Sequence, residues 1–449
     1  MASWQAAFVA ESAALSSEDH VQALLDLVKA FETVPHAILV RAAASRGYPI
    51  LVLRLSIAAY RLSRSIGVDG VYSRLVVASR GITAGSGFAT SELRALLSDT
   101  MEELHRRWAR TITVKLFVDD LTLSTGGLPQ GVVATMVSVV DFVIDEFETE
   151  LLMEVSAKKS KVLACRPAIA LAVGTRVKSC KLDPVRYAKL LGTDSAGGRR
   201  RGTQVSQARL VDFTASSSRF QVLRRLGVNT KQMVRAAGPP AMLYGCEVMG
   251  LSDTALHAAR VKVAAAAAPQ AGGKNPELVL YVLDGAHGTL DPAFEAHTNP
   301  LKYWALAWWQ RWFSAEQMQR AYEEGAAKVS ASKGSWWSVV AGPTTALLAS
   351  LKRLGWVMRS AEAIVDDTGM VWRLDQDSPA AIVRAGRHAV RRWRLKRIGE
   401  ALPGLLPDAG DIPQEAHFTS TVLVDFSCIL SPLVTAMGCW GSHIRALVL

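Results

Sequence analysis

The stretch TITVKLFVDDLTLS, residues 111 to 124, carries β-branched, aromatic and aliphatic residues on both sides of two adjacent aspartates. Such a run favours extended backbone. The two charges fall where the strand must stop, which predicts a hairpin with Asp119 and Asp120 at its tip. A second stretch, LLDLVKAFETVPH at residues 24 to 36, ends another apolar run on a single carboxylate, Asp26, flanked by Ala23, Leu24, Leu25 and Leu27. An unpaired carboxylate is costly to leave in a core, so Asp26 calls for a cation. Neighbouring strands lie about 4.8 Å apart, close enough for Asp26 to converge with Asp119 and Asp120. Three clustered carboxylates do not all stay ionised without a cation, and the hard cation that suits oxygen ligands and phosphates is Mg²⁺, with Mn²⁺ as its substitute. Two such ions about 3.5–4 Å apart stabilise the attacking and leaving oxygens of an in-line phosphoryl displacement. Taken singly, a strand-end Asp is ordinarily a turn or cap residue.

Working outward, residues 20 to 27 read as a strand, and Pro35 with Gly47 brackets a helix over PHAILVRAAASRG. A second helix runs from Pro49 to about Ser63, and Asp69-Gly70 marks a two-residue hairpin. Leu93, Leu97, Met101 and Leu104 recur at helical spacing, and a long helix is expected over residues 129 to 152. The pattern is α+β, an antiparallel sheet with helices on one face. From about residue 200 the strand signal fades into helix, and AAAAAPQAGGKNP, residues 264 to 276, reads as a linker.

Composition limits the class. Half of the 449 residues are hydrophobic and 20% are charged, which excludes wholesale disorder, and the formal net charge of +11 favours a polyanionic partner. The five cysteines have no CxxC spacing, which argues against a disulfide framework or zinc finger and for a reduced compartment, cytoplasmic or nuclear. MASWQAAFVAES does not read as a secretory leader, and the late apolar stretch STVLVDFSCILSPLVTAMGCW, which contains Asp425 and Pro432, does not read as a membrane span.

Across residues 24 to 194 the order of these motifs resembles the palm of reverse transcriptases, RNA-directed DNA polymerases, and most closely those of non-long-terminal-repeat (LINE-type) retrotransposons. DLVKAFETVPH is similar to their first motif, which implies Asp26 as metal ligand and Phe31 as the aromatic that excludes a ribose 2′-hydroxyl. RGITAGSGFAT resembles the second, whose Gly85-Ser86 turn would approach template and nucleotide, with Ala84 where Gln is common. FVDD matches the third. LLMEVSAKKSKVLA resembles the fourth, implying Lys159, with Lys158 beside it, as the acid that protonates pyrophosphate. VRYAKLLGTD resembles the fifth, a primer-grip hairpin ending on Leu191-Gly192.

The resemblance implies a palm over residues 1–198, a basic helical thumb over 199–263 and a mainly helical C-terminal region over 264–449. In the family a fingers region precedes the first motif, whereas the 25 residues before Asp26 hold no Lys or Arg, so the front reads as truncated and the fingers as largely missing. Arg199, Arg200, Arg201, Arg209, Arg219, Arg224 and Arg225 are expected to contact a duplex backbone, since Arg forks match phosphate geometry. Trp304, Trp308 and Trp312 fall on one helix face and read as a buried seam, and Arg384, Arg387, Arg391 and Arg394 form a stripe, either a nucleic-acid patch or a wet face. The expected partners are an RNA template, a DNA primer and deoxynucleoside triphosphates, without a membrane. Two other readings stand beside the polymerase: a retroelement-derived remnant that binds nucleic acid without catalysis, and a metal-dependent phosphohydrolase using the same carboxylates.

Overall fold

The computed structural model describes residues 1–83, 85–268, 275–284 and 289–401. Ala84, the middle of the expected linker, and the late apolar stretch with Cys428 and Cys439 lie outside the described residues. Twelve strands occur among the described residues: β1 (Asp19–Leu25), β2 (Gly67–Val68), β3 (Val71–Tyr72), β4 (Thr113–Phe117), β5 (Asp120–Gly127), β6 (Lys161–Ala164), β7 (Asp183–Pro184), β8 (Tyr187–Leu190), β9 (Thr193–Ala196), β10 (Val357–Ser360), β11 (Ala363–Val365) and β12 (Val371–Arg373). The first half is built on a five-stranded sheet in the order β4-β5-β1-β6-β7. Its ladders are antiparallel except between β6 and β7.

The period of two along a strand decides what each face meets. Val21, Ala23 and Leu25 of β1, with Leu121 and Leu123 of β5, share a core with Leu39, Leu93, Leu97, Met136, Val139 and Val173. Those partners come from the helices His36–Ser45, Ala89–Trp108, Pro129–Asp145 and Pro167–Arg176. This is the expected α+β arrangement. The residue between them, Leu24, faces the other way and packs with Leu163, Ala188, Leu190 and Ala6. That second face is covered by the β8–β9 hairpin and by an N-terminal helix, Ala2–Leu15, onto whose Ala6 carbonyl the Gln22 amide donates at 3.0 Å.

The N-terminal helix joins the sheet to the C-terminal region. Trp4 stacks on Phe8 at 5.4 Å and meets Trp304 and Trp312 edge-on at 6.3 and 5.6 Å. The expected tryptophan seam is therefore present, although its helix, Pro292–Trp309, stops before Trp312. Seven residues after Trp4, the buried Glu11 carboxylate accepts from the Thr344 and Thr345 N–H groups at 2.7 and 3.1 Å, and so caps the helix Pro343–Leu354. Burial pushes the Glu11 carboxyl upward, and these hydrogen bonds pull it back. The Gly-Gly step after β9 makes the close approach feasible. A Cβ at Gly197 would sit 2.0 Å from the Ala164 carbonyl oxygen, and one at Gly198, where φ is +80°, would sit 1.9 Å from that of Ala10.

Three expectations are corrected. The helix Asp253–Ala267 runs into the expected linker and buries Ala264, Ala266 and Ala267, because a run of alanines is the best helix former before it is anything else. The helix after β5 is α-helical only to Asp145 and continues as a π turn, Glu146–Glu150. Arg394 belongs neither to a wet face nor to a nucleic-acid patch: it is 1% exposed and pairs with Asp284 and Asp291, while Arg260 pairs with Asp291 and Glu277. The C-terminal region also contains a small antiparallel sheet, β10-β11-β12, that composition did not signal. Among the described residues no helix is long and apolar enough to cross a membrane, and Cys165, Cys180 and Cys246 are free thiols.

If the aromatic seam holds the N-terminal helix in place, Trp4→Ala should lower unfolding stability by about 3–5 kcal/mol, the usual cost of deleting a buried large aromatic. Trp309→Ala, at a position 49% exposed, should change it by less than about 0.5 kcal/mol. Urea melts of both variants check this, and equal effects would show that the seam carries no special share of the stability.

Candidate active site

The site is assembled by sheet register. In the β1–β5 ladder Leu25 lies opposite Leu121, so the next residue of each chain segment toward the strand end, Asp26 and Asp120, is set side by side. The β4–β5 connection is a two-residue turn, Val118-Asp119, closed by Phe117 opposite Asp120, with Val118 at φ +61°. The predicted hairpin is present, and Asp119 is at its tip. A third segment wraps the same corner. The Asp26 N–H donates to Ser160 Oγ at 3.1 Å, and its carbonyl accepts from the Ser156 N–H at 2.8 Å. That loop delivers Lys159, whose Nζ lies 3.0 Å from Asp26 Oδ1.

The charges at this corner act on one another. Burial raises the Asp120 pKa above the usual carboxylate range, the charges of Asp119 and Asp26 raise it further, and Lys159 opposes them. Lys159, exposed, is shifted upward chiefly by its hydrogen bond to Asp26. The corner thus holds excess negative charge met by one ammonium. All its anionic donors are carboxylate oxygens, the chemistry that suits a hard divalent cation. Yet among the described residues no three His, Cys, Asp or Glu side chains are grouped to hold a metal ion, and Lys159 occupies the cation position beside Asp26.

The first and second motifs are docked to one another. Phe31, half-buried in the short helix Ala30–Thr33, accepts the Ile82 N–H on its carbonyl at 2.7 Å, and Val34 accepts that of Gly81 at 2.8 Å. Gly81 has φ +98°, and a Cβ there would sit 2.9 Å from the Glu32 carbonyl oxygen. Gly85 follows at φ +86°. Ser86 is held by Tyr60, whose hydroxyl lies 3.0 Å from Ser86 Oγ and donates to Glu92 at 2.7 Å. At the fifth motif, Leu191 and Gly192 both have positive φ, +47° and +79°, in the two-residue turn between β8 and β9. The Tyr244 hydroxyl donates to the Leu191 carbonyl at 3.2 Å, and Arg209 donates to the Gly192 carbonyl.

The basic residues divide into two groups. Arg199, Arg200, Arg219 and Arg225 are exposed. Arg209 is engaged with the carbonyls of Tyr244 and Gly192, and Arg224 donates to those of Ala265 and Ala268 at the end of a helix. Arg201 is half-buried, 5.7 Å over the Trp337 ring. These three brace the protein's own backbone and rings, a use that sequence cannot separate from phosphate contact. Sequence reading also missed Tyr60, Glu92 and Tyr244, for which no local signal exists. It missed Lys115 as well, which alternation along β4 would have placed on the face of the sheet that carries Asp120. Burial brings the Lys115 pKa down to about 8.

No family model matches the chain, and no curated protein matches it. Among solved structures it is similar to three of telomerase from Candida tropicalis. For the apo enzyme truncated from its C-terminal domain, identity is 11%, coverage is 43% of this chain and 37% of that one, and the TM-score is 0.32. For the complex with the TWJ fragment of telomeric RNA the values are 11%, 62%, 51% and 0.34. For the apo enzyme they are 10%, 78%, 52% and 0.34. The chain spans about half or less of the length of each of these structures.

Because Asp119 is one of the charges that raise Asp120, Asp119→Asn should move the Asp120 titration midpoint downward, toward the ordinary carboxylate value. Carboxyl ¹³C chemical shifts followed against pH in both proteins read this directly. An unmoved midpoint would mean that the two side chains do not share a field.

Proposed function

We propose that this chain is a reverse transcriptase of the non-LTR retrotransposon type, which extends a DNA primer 3′ end on an RNA template. The observation that supports it is the corner where β1, the β4–β5 turn and the Ser156–Ser160 loop bring Asp26, Asp119, Asp120 and Lys159 together. The motif order along the sequence fits the same reading.

In this reading Asp26, Asp119 and Asp120 would hold Mg²⁺, or Mn²⁺ in its place, with Lys159 displaced from Asp26. The bound cation supplies positive charge for the oxygens of the reacting phosphate. Lys159 keeps its proton at neutral pH, as an ordinary lysine does, and it would hand that proton to the departing pyrophosphate oxygen. Phe31 limits the sugar pocket to deoxynucleotides. Gly85 and Ser86, the latter held by Tyr60, would present backbone and hydroxyl to template and nucleotide. The Leu191-Gly192 turn supports the primer, and the exposed Arg199, Arg200, Arg219 and Arg225 contact phosphates. Arg201, Arg209 and Arg224 act by bracing. The protein works inside the cell, where thiols stay reduced.

A second reading is favoured by one observation: Lys159 already neutralises Asp26, and no metal-holding set of three is present among the described residues. On that reading the chain binds nucleic acid and does not catalyse.

Metal separates the two. A ligand that prefers the native state raises the melting temperature by mass action, so Mg²⁺ should stabilise the wild type and leave Asp119→Asn unaffected. Equal shifts in thermal melts of the two proteins would remove the metal site. Nucleic acid provides the second test. Fluorescence anisotropy with a primer-template duplex should give a log affinity that falls against log salt with a slope steeper than about −3, as expected for four phosphate contacts. Asp120→Asn should keep that binding and abolish extension on a gel. Wild-type binding without extension would select the second reading, and salt-insensitive binding would defeat both.

A further inference from the structure

The five-stranded sheet stops at β4, which pairs with β5 on one side and with no other strand among the described residues. Alternation of an antiparallel ladder fixes what the free side offers. Phe117 and Asp120 close a two-residue turn, so Phe117, Lys115 and Thr113 direct their backbone groups at β5. Val114 and Leu116 therefore point their N–H and C=O groups outward, along an edge ready to accept another strand.

The space beside that edge is already shaped. A groove runs between the helix Ala89–Trp108 and β4 in two adjoining segments of 970 and 290 Å³ that share Met101, His105 and Leu116. Its floor is apolar, with Met101, Leu104, Ile112, Val114, Leu116 and Val118. Its charged lining is unbalanced. Arg46 is shared between Glu102 and Asp99, and Arg106 and Arg107 share the single carboxylate of Glu103, so these two clusters offset one another and Arg94 is left over. Arg94 forms no ion pair with an acidic residue among the described residues and is exposed, about three helical turns before His105 on the same groove. The groove thus adjoins the unpaired edge of β4, and the charge left over there is that of Arg94.

We propose that the free edge of β4 and the groove beside it take up an extended acidic segment of a partner protein as a sixth strand, alternating apolar side chains into the groove and carboxylates toward Arg94 and His105. Backbone hydrogen bonds to Val114 and Leu116 supply the affinity, and the groove and its charge supply the selection. A second copy of this chain fits less well, since pairing edge to edge would set two Arg94 and His105 groups against each other. The inference does not depend on the polymerase reading.

The test uses the full chain and a fluorescein-labelled peptide that alternates Glu and Val and spans the five residues of β4. Anisotropy should show saturable binding, with affinity at least tenfold weaker for the matching Lys-Val peptide. Val114→Pro removes one outward N–H and no β4–β5 hydrogen bond, and it should weaken binding at least tenfold. Arg94→Glu, on the exposed helix face, should weaken it severalfold and serves if the proline variant does not fold. Absence of saturable binding, or equal binding by wild type and both variants, overturns the proposal. So does an oligo-dT strand whose binding is lost in Arg94→Glu and kept in Val114→Pro, since the groove would then be a nucleic-acid track.

Discussion

The register of β1 against β5 is the constraint from which the rest follows. Because side chains alternate with a period of two, a slip by one residue would exchange Val21, Ala23 and Leu25 for His20, Gln22 and Leu24 in the helical core. The same slip would carry Asp26 away from Asp120. One set of pairings therefore fixes both the hydrophobic layer and the carboxylate corner, and the aliphatic core holds the charged groups at a spacing they would not choose unaided. Burial first, and then the charges of Asp119 and Asp26, push the Asp120 pKa upward.

A second layer of organisation comes from buried polar groups with determined partners. Glu11 and the Arg260, Arg394, Asp284, Asp291 and Glu277 network are each tied by direct hydrogen bonds or ion pairs. Breaking such a pair leaves a charge uncompensated, so these contacts specify which helix ends meet even where they add little net stability. They explain why a long C-terminal region without an evident site is nonetheless shaped in detail.

What the sequence disclosed follows the range of the forces involved. The β4–β5 hairpin, β1, the helices around Leu39 and Leu93, and the Asp69-Gly70 turn are written in local periodicity and turn chemistry, and they stand where expected. The placing of Asp26 beside Asp120 follows from the same register, because register is set by the hydrophobic pattern. The short strands β10–β12, with three or four residues each, fall below what periodicity resolves. The fate of an arginine is decided by neighbours distant in sequence. Arg199 and Arg209 belong to one basic stretch, yet one is exposed and the other hydrogen-bonds Gly192. Likewise nothing near Met1 indicates that Trp4 belongs with Trp304.

The cap that Glu11 places on the helix Pro343–Leu354 joins residues 333 positions apart. On a ribosome adding residues one at a time, the N-terminal helix emerges long before Thr344 exists, so its polar acceptor and its face of Trp4 and Phe8 must wait for most of the chain. During that interval the apolar surface of the helix is open to chaperones or to misplaced contacts. Closing the contact then draws together the two ends of a long loop, which is entropically late in any folding order. The sheet can mature early, whereas the seal between the first helix and the C-terminal region forms only after Thr344 has been made.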